Sequence, residues 1–102
     1  SHFIYLNMIR IGIIGPSEIA FRRFLPALTK LPDFKFTGVA VADQAEWPGA
    51  DEKTRKAEFE KASEFIKNYG GVVFKSYNEI ITANEIDAIY IPLPPALHFY
   101  WA

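Results

Sequence analysis

Residues Ile9-Arg10-Ile11-Gly12-Ile13-Ile14-Gly15-Pro16-Ser17-Glu18-Ile19-Ala20 run from a nearly unbroken apolar stretch into a glycine and then into the start of a helix. So continuous an apolar run fits a strand covered on both faces, which is a property of parallel sheets. Glycine at the strand end lets the backbone turn sharply without a side-chain clash. The helix that follows offers free amides and a partial positive charge at its N-terminus, an arrangement that can face a dinucleotide pyrophosphate. The usual spacing is G-x-G-x-x-G or A, in which the second glycine admits the phosphates and the third position is small so that helix and strand pack closely. Here those positions are Gly15, Ser17 and Ala20. The Cβ of Ser17 narrows the approach to a phosphate, whereas its hydroxyl is suited to capping the helix or donating a hydrogen bond. The candidate binding segment comprises Gly12, Gly15, Pro16, Ser17, Glu18, Ile19 and Ala20.

The rest of the chain continues the alternation. Ile19, Phe24, Leu25 and Leu28 fall near helical spacing between Ser17 and Lys30, with Pro26 expected to kink that helix. Pro32-Asp33 ends it, and Phe34, Phe36, Val39 and Val41 mark a second buried strand over Phe34 to Ala42. Asp51 to Tyr69 reads as a long amphipathic helix closed by Gly70-Gly71. Val72 to Phe74 is a short strand, and Ser76-Tyr77-Asn78-Glu79 has the spacing of a capping box for a brief helix through Ile81. Ala88 to Ile91 is a further strand, stopped by Pro92-Leu93-Pro94-Pro95. Strands and helices in turn, joined by short links, predict an α/β, Rossmann-like parallel sheet with helices on both faces and right-handed crossovers. With 102 residues, half of them apolar, the chain suffices for one such domain over residues 8–102 but not for a second, substrate-binding domain, so the sheet is expected to be truncated after about its fourth strand. Ser1 to Asn7 is set aside as a native extension or an expression remnant.

Composition narrows the chemistry. A net charge of −1 with interspersed lysines, arginines and acids gives no basic stripe for nucleic acid or an anionic membrane. The absence of cysteine excludes disulfides, thiolate catalysis and thiolate-bound metal, and suits a cytoplasmic protein. No segment has the length of a membrane span. Asp43 falls at the end of the second strand, roughly twenty residues beyond Ala20, where a carboxylate accepts hydrogen bonds from adenosine ribose hydroxyls. The same carboxylate repels a ribose phosphate, and no lysine or arginine occurs within Gln44 to Trp47, so NAD is expected in preference to NADP. The blander reading is that Asp43 caps its loop and Gly15 ends a strand. Pro92, Leu93 and Pro94 lie beyond a strand carboxyl end and could line the nicotinamide side, or could simply form a rigid turn. His98 could contact cofactor, or be a packed or solvated histidine. Arg22 and Arg23 fit a solvated helix face as well as a phosphate contact. No catalytic or metal-ligating set stands out.

These residues together resemble the N-terminal domain of the glucose-fructose oxidoreductase, inositol dehydrogenase and rhizopine-catabolism (Gfo/Idh/MocA) family. The resemblance runs from Arg10 onward and rests on Arg10 to Gly15 with Ile19-Ala20, on Val39 to Asp43, on Tyr77 to Ile81, on Ile86 to Pro94, and on Leu97-His98. It implies a domain binding NAD or NADP, followed by an α/β substrate domain, with redox chemistry at a sugar, polyol or nucleotide-sugar hydroxyl. The family's catalytic lysine, in a Glu-Lys-Pro motif, and its substrate-domain acid and histidine have no counterpart in this sequence. Pro16, Ser17 and a lengthened segment between Asp43 and Tyr69 depart from the pattern. A reading from another class is a non-enzymatic nucleotide-sensing or assembly domain whose cofactor loop is degraded by Pro16 and Ser17. If the strand order is the usual 3-2-1-4, Ala88 to Ile91 forms an open edge, and self-association is expected there or through Phe99 to Trp101.

Overall fold

The computed structural model describes residues 8–91. Strands β1 (Ile9–Ile14), β2 (Phe34–Ala40), β3 (Val72–Phe74) and β4 (Ala88–Tyr90) form one parallel sheet in the order β3-β2-β1-β4, which is the 3-2-1-4 order expected. Between them run a helical stretch over 18–28, then α2 (Glu52–Tyr69) and α3 (Tyr77–Ile81). Among the described residues no helix is long and apolar enough to cross a membrane.

The period of two in the strands sorts the core into two layers. Ile11 and Ile13 face the 18–28 helix and α2, together with Leu25, Leu28, Phe36, Val39, Ala62 and Phe65. Ile14 and Ala40 face the other way, against Ile80 of α3 and Phe74. Ile13, Leu25, Val39 and Ile80 are fully buried, and each such side chain contributes roughly 1.5–3 kcal/mol of burial free energy. Phe24 stacks flat on Tyr90 at a centroid distance of 3.9 Å, extending the first layer over β4.

Two irregularities keep this pattern intact. Phe36 and Val39 lie three apart yet share a face, which strict alternation forbids. The register jumps there from Ile11 opposite Phe36 to Gly12 opposite Gly38, leaving Thr37 as an extra residue in a β-bulge. The second lies in the first helix. Pro26 lacks the N–H that would bond the Arg22 carbonyl, and the preceding turn, Ala20–Phe24, widens into a π-helix in which the Leu25 N–H donates to the Ala20 carbonyl. The proline then occupies the first turn of α1 (Leu25–Leu28), so the expected kink takes the form of a π-bulge.

Helix starts and the sheet edge are fixed by polar contacts. Asp51 Oδ1 accepts from the Thr54 N–H at 2.7 Å and caps α2, while Gly70, with φ +79°, ends it. Arg10 in β1 grips Asp87, just before β4, through Nε to Oδ2 (2.9 Å) and Nη2 to Oδ1 (3.0 Å); beside the fork the Arg10 N–H also donates to Oδ2 (2.8 Å) and the Asp87 N–H to the Arg10 carbonyl (2.8 Å). This pairing pulls the Asp87 carboxyl from an ordinary 3.8 down to about 2. Because the folded value lies below the unfolded one, the stabilisation is complete above pH about 4 and is lost as pH falls toward 2. Acid titration of unfolding in urea is expected to show a loss of stability across that window, and a shallower loss in Asp87→Asn. Identical pH profiles for the two proteins would contradict the assignment.

Candidate functional site

β1 leaves the sheet at Gly15, whose φ of +88° is unfavourable by about 1–2 kcal/mol for residues with a Cβ. Space is not the constraint, because a Cβ there would come no nearer than 3.8 Å to the Tyr77 hydroxyl. The Gly15 N–H donates to the Ala40 carbonyl (2.9 Å), holding the turn to the end of β2, and the Ser17 N–H donates back to the Gly15 carbonyl (2.9 Å) around buried Pro16. Ser17 Oγ accepts from the Ala20 N–H at 3.1 Å, and the Ser17 carbonyl accepts from Phe21. The serine is thus the N-cap, one of the two uses expected of it. Glu18 and Ile19 supply the two first-turn amides that have no protein acceptor among the described hydrogen bonds. Ala20 is fully buried, meeting the requirement for a small residue at that position.

Gly12 lies elsewhere. It sits within β1, where a Cβ would come within 2.8 Å of Ile80 Cδ1, so its lack of a side chain serves the approach of α3 and not the turn. Ile19 is largely exposed, and Glu18 forms an i,i+4 ion pair with Arg22 at 2.6 Å on the solvent face. Pro92, Leu93, Pro94 and His98 lie outside the described residues. Around the turn is a hollow of about 250 Å³ lined by Gly15, Ser17, Glu58, Lys61 and Tyr77. Lys61 and Glu58 pair at 3.2 Å, which places an α2 ammonium group beside the turn. Burial pushes the Tyr77 phenol above its ordinary value of 10, helped by the carboxylates of Glu58 and Glu46, so it stays protonated at neutral pH.

At the end of β2, Asp43 and Glu46 form a reciprocal cap. Asp43 Oδ1 accepts from the Glu46 N–H (2.8 Å), and Glu46 Oε1 accepts from the Asp43 N–H (3.1 Å). The capping role offered as the bland reading of Asp43 is therefore real, although it occupies only one of the two carboxylate oxygens. Glu46 reaches further. Its Oε1 also accepts from the Tyr77 N–H (2.7 Å) and its Oε2 from the Asn78 N–H (2.8 Å), so one carboxylate ties the β2 loop to the first amides of α3. Ser76 Oγ supplies the remaining cap by accepting from Glu79 at 3.0 Å. The capping-box spacing pointed to that half, while a partner thirty residues away was invisible in it.

A second hollow, about 410 Å³, opens where β2 and β3 end and is lined by Asp43, Glu52, Arg55, Lys56, Phe59 and Lys75. A further hollow, about 740 Å³, lies among residues such as Phe34, Lys35 and Val72 at the amino ends of β2 and β3, away from the ends where parallel sheets take ligands. Among the described residues no group of three histidines or acids could hold a metal.

A parallel sheet in this order, with a glycine turn at the carboxyl end of β1 running into a helix, defines a Rossmann-like α/β domain. No family model matches the chain. It is 33% identical over 95 residues to the dTDP-3,4-didehydro-2,6-dideoxy-alpha-D-glucose 3-reductase of Actinomadura kijaniata, covering 93% of this chain and 24% of that protein. It is 32% identical over 100 residues to the enzyme of the same name from Streptomyces violaceoruber, covering 98% and 25%. Among solved structures it resembles KijD10, a 3-ketoreductase from Actinomadura kijaniata in complex with NADP and TDP-benzene, with a TM-score of 0.71, 33% identity, and coverage of 93% of this chain and 25% of that one. The chain therefore spans about a quarter of the length of these relatives.

The cofactor expectation is corrected by this comparison: KijD10 was solved with NADP, also in the absence of TDP-benzene, whereas Asp43 and the lack of a lysine or arginine within Gln44 to Trp47 pointed to NAD. No cation lies beside Asp43 in sequence. The fold brings Arg55, Lys56 and Lys75 to the same hollow from α2 and from the residue after β3.

Glu46→Ala should remove three amide contacts together and cost about 1–3 kcal/mol in urea unfolding. Stability unchanged by the substitution would contradict the bridging role given to Glu46.

Proposed function

We propose that this chain is the NADP(H)-binding domain of a Gfo/Idh/MocA-type oxidoreductase that acts on a nucleotide-linked sugar, in the manner named for the 3-ketoreductase relatives. The observation that carries this reading is the Gly15 turn, which ends the central strand in a conformation suited to glycine and leads into a first helical turn whose Glu18 and Ile19 amides have no protein acceptor among the described hydrogen bonds. These residues fit a pyrophosphate: two donor amides, a helix N-terminus, the nearby Lys61 ammonium and no side chain on the turn residue. When bound, the cofactor supplies hydride to, or takes it from, the sugar carbon.

The chain's own part is to bind and orient. Gly15 and the first helical turn hold the phosphates, Ala20 allows the helix to sit close to β1, and Ser17 fixes where that helix begins. Asp43 Oδ2 faces the adenosine ribose while Oδ1 holds the loop in shape. Tyr77, kept neutral, stands by the turn. The premise of the non-enzymatic alternative is that Pro16 and Ser17 spoil the loop; for Ser17 the hydrogen bonding speaks against it. Its hydroxyl is committed to the Ala20 amide, which turns it from an obstruction into a cap. A cytoplasmic setting, with a sugar nucleotide as substrate, completes the proposal. Self-association belongs to it as well, because β4 pairs with β1 on one side and with no strand on the other among the described residues. Light scattering of this chain at high concentration is expected to show species larger than a monomer, and a strict monomer would overturn that part.

The binding claim is tested by calorimetric titration of the intact protein with NADPH and NADH. NADPH is expected to bind more tightly, and Gly15→Val to weaken both by at least about tenfold, or ~1.4 kcal/mol. Circular dichroism would confirm that the variant folds. No binding of either dinucleotide to the unsubstituted protein would overturn the proposal.

A further inference from the structure

We infer that Lys56 and Lys75, with Arg55 beside them, form the subsite that receives the 2′-phosphate of the adenosine ribose. This rests on the NADP(H) reading above and identifies the residues that impose it in this chain. The hollow at the ends of β2 and β3 holds three cations, Arg55, Lys56 and Lys75, against two carboxylates, Asp43 and Glu52, a local balance of +1 (3 − 2). Glu52, Arg55, Lys56 and Phe59 recur at helical spacing, so α2 turns one face to the end of β2. Lys75 follows β3 directly and comes in from the other side.

The three cations differ in freedom. Arg55 Nη1 donates to the Ala50 carbonyl at 2.7 Å, which anchors its guanidinium against the loop and leaves further donors for an anion. Lys56 and Lys75 are exposed, and neither belongs to an ion pair among the described residues. They are unneutralised charges on a concave surface, the arrangement that draws a phosphate dianion. Asp43, which alone would repel that group, has one oxygen held by the Glu46 amide and shares the hollow with the three cations. Phe59 is 43% exposed in the same hollow and offers a flat apolar face to an adenine ring. The pyrophosphate belongs at the Gly15 turn, one strand away, so an anion reaching past β2 toward β3 is the substituent on the ribose.

The test is titration of the intact protein and of its Lys56→Ala/Lys75→Ala variant with NADPH and NADH. The affinity for NADPH should fall about tenfold or more, the effect of losing one or two charge-assisted contacts, while that for NADH stays within about twofold. Added salt should weaken NADPH binding to the unsubstituted protein more steeply than NADH binding, and that difference should vanish in the variant. The same contrast is expected between adenosine 2′,5′-bisphosphate and adenosine 5′-monophosphate, and Lys75→Arg should retain the preference. A variant with an unchanged ratio of NADPH to NADH affinity overturns the subsite while leaving the dinucleotide reading intact. Failure of both dinucleotides to bind the unsubstituted protein overturns the two together.

Discussion

Strand β1 is hydrogen-bonded to a neighbour on each edge, β2 and β4, and covered by a helical layer on each face. That confinement governs the rest of the domain. Ile11 and Ile13 anchor one core layer and Ile14 the other, so a slip of one residue would exchange the layers and expose both. Gly12 lets Ile80 approach, which brings α3 down onto the strand and sets Tyr77 above the turn. Only then does Gly15 leave the sheet in a fixed direction, tied by its amide to Ala40. The position of the candidate phosphate site is thus a consequence of how β1 is packed, and the turn inherits its rigidity from the core.

Charge placement links that site to the neighbouring one. Glu46 occupies the N-terminal amides of α3 with a side chain from the β2 loop, so the loop bearing Asp43 is tied directly to the helix bearing Tyr77. In the proposed function, the two hollows on either side of this clamp divide the labour of holding a dinucleotide. The one at Gly15 offers backbone amides and Lys61, suited to a pyrophosphate, and the one beyond β2 offers lysines and a phenyl face, suited to a phosphorylated adenosine. Relatives solved or named as sugar-nucleotide ketoreductases share this part of their chain with the present one at about a third identity.

Much of the fold was legible in the residues because it follows from short-range patterns. The apolar run at β1, the Gly70-Gly71 stop after α2 and the serine cap of α3 all sit where periodicity and capping chemistry put them. Thr37 in the bulge and the π-turn before Pro26 were not foreseen. Each resolves a conflict between local pattern and global packing that one-dimensional spacing cannot express. The site divided along the same line. Gly15, Ser17, Ala20 and Asp43 are contiguous with strand ends and could be read in place. Lys61, Tyr77, Lys56 and Lys75 reach the two hollows through the fold, and the preference for NAD was read from Asp43 and its sequence neighbours alone, which hold none of these cations.

The central claim is that one end of this sheet binds a dinucleotide, with its pyrophosphate at the Gly15 turn and its 2′-phosphate near Lys75. A crystal structure of the intact protein with NADPH tests this most directly. The account predicts pyrophosphate oxygens within hydrogen-bonding distance of the Glu18 or Ile19 amides and the ribose phosphate between Lys56 and Lys75. A cofactor seated elsewhere, or one whose pyrophosphate avoids the first turn of the helix, would contradict it.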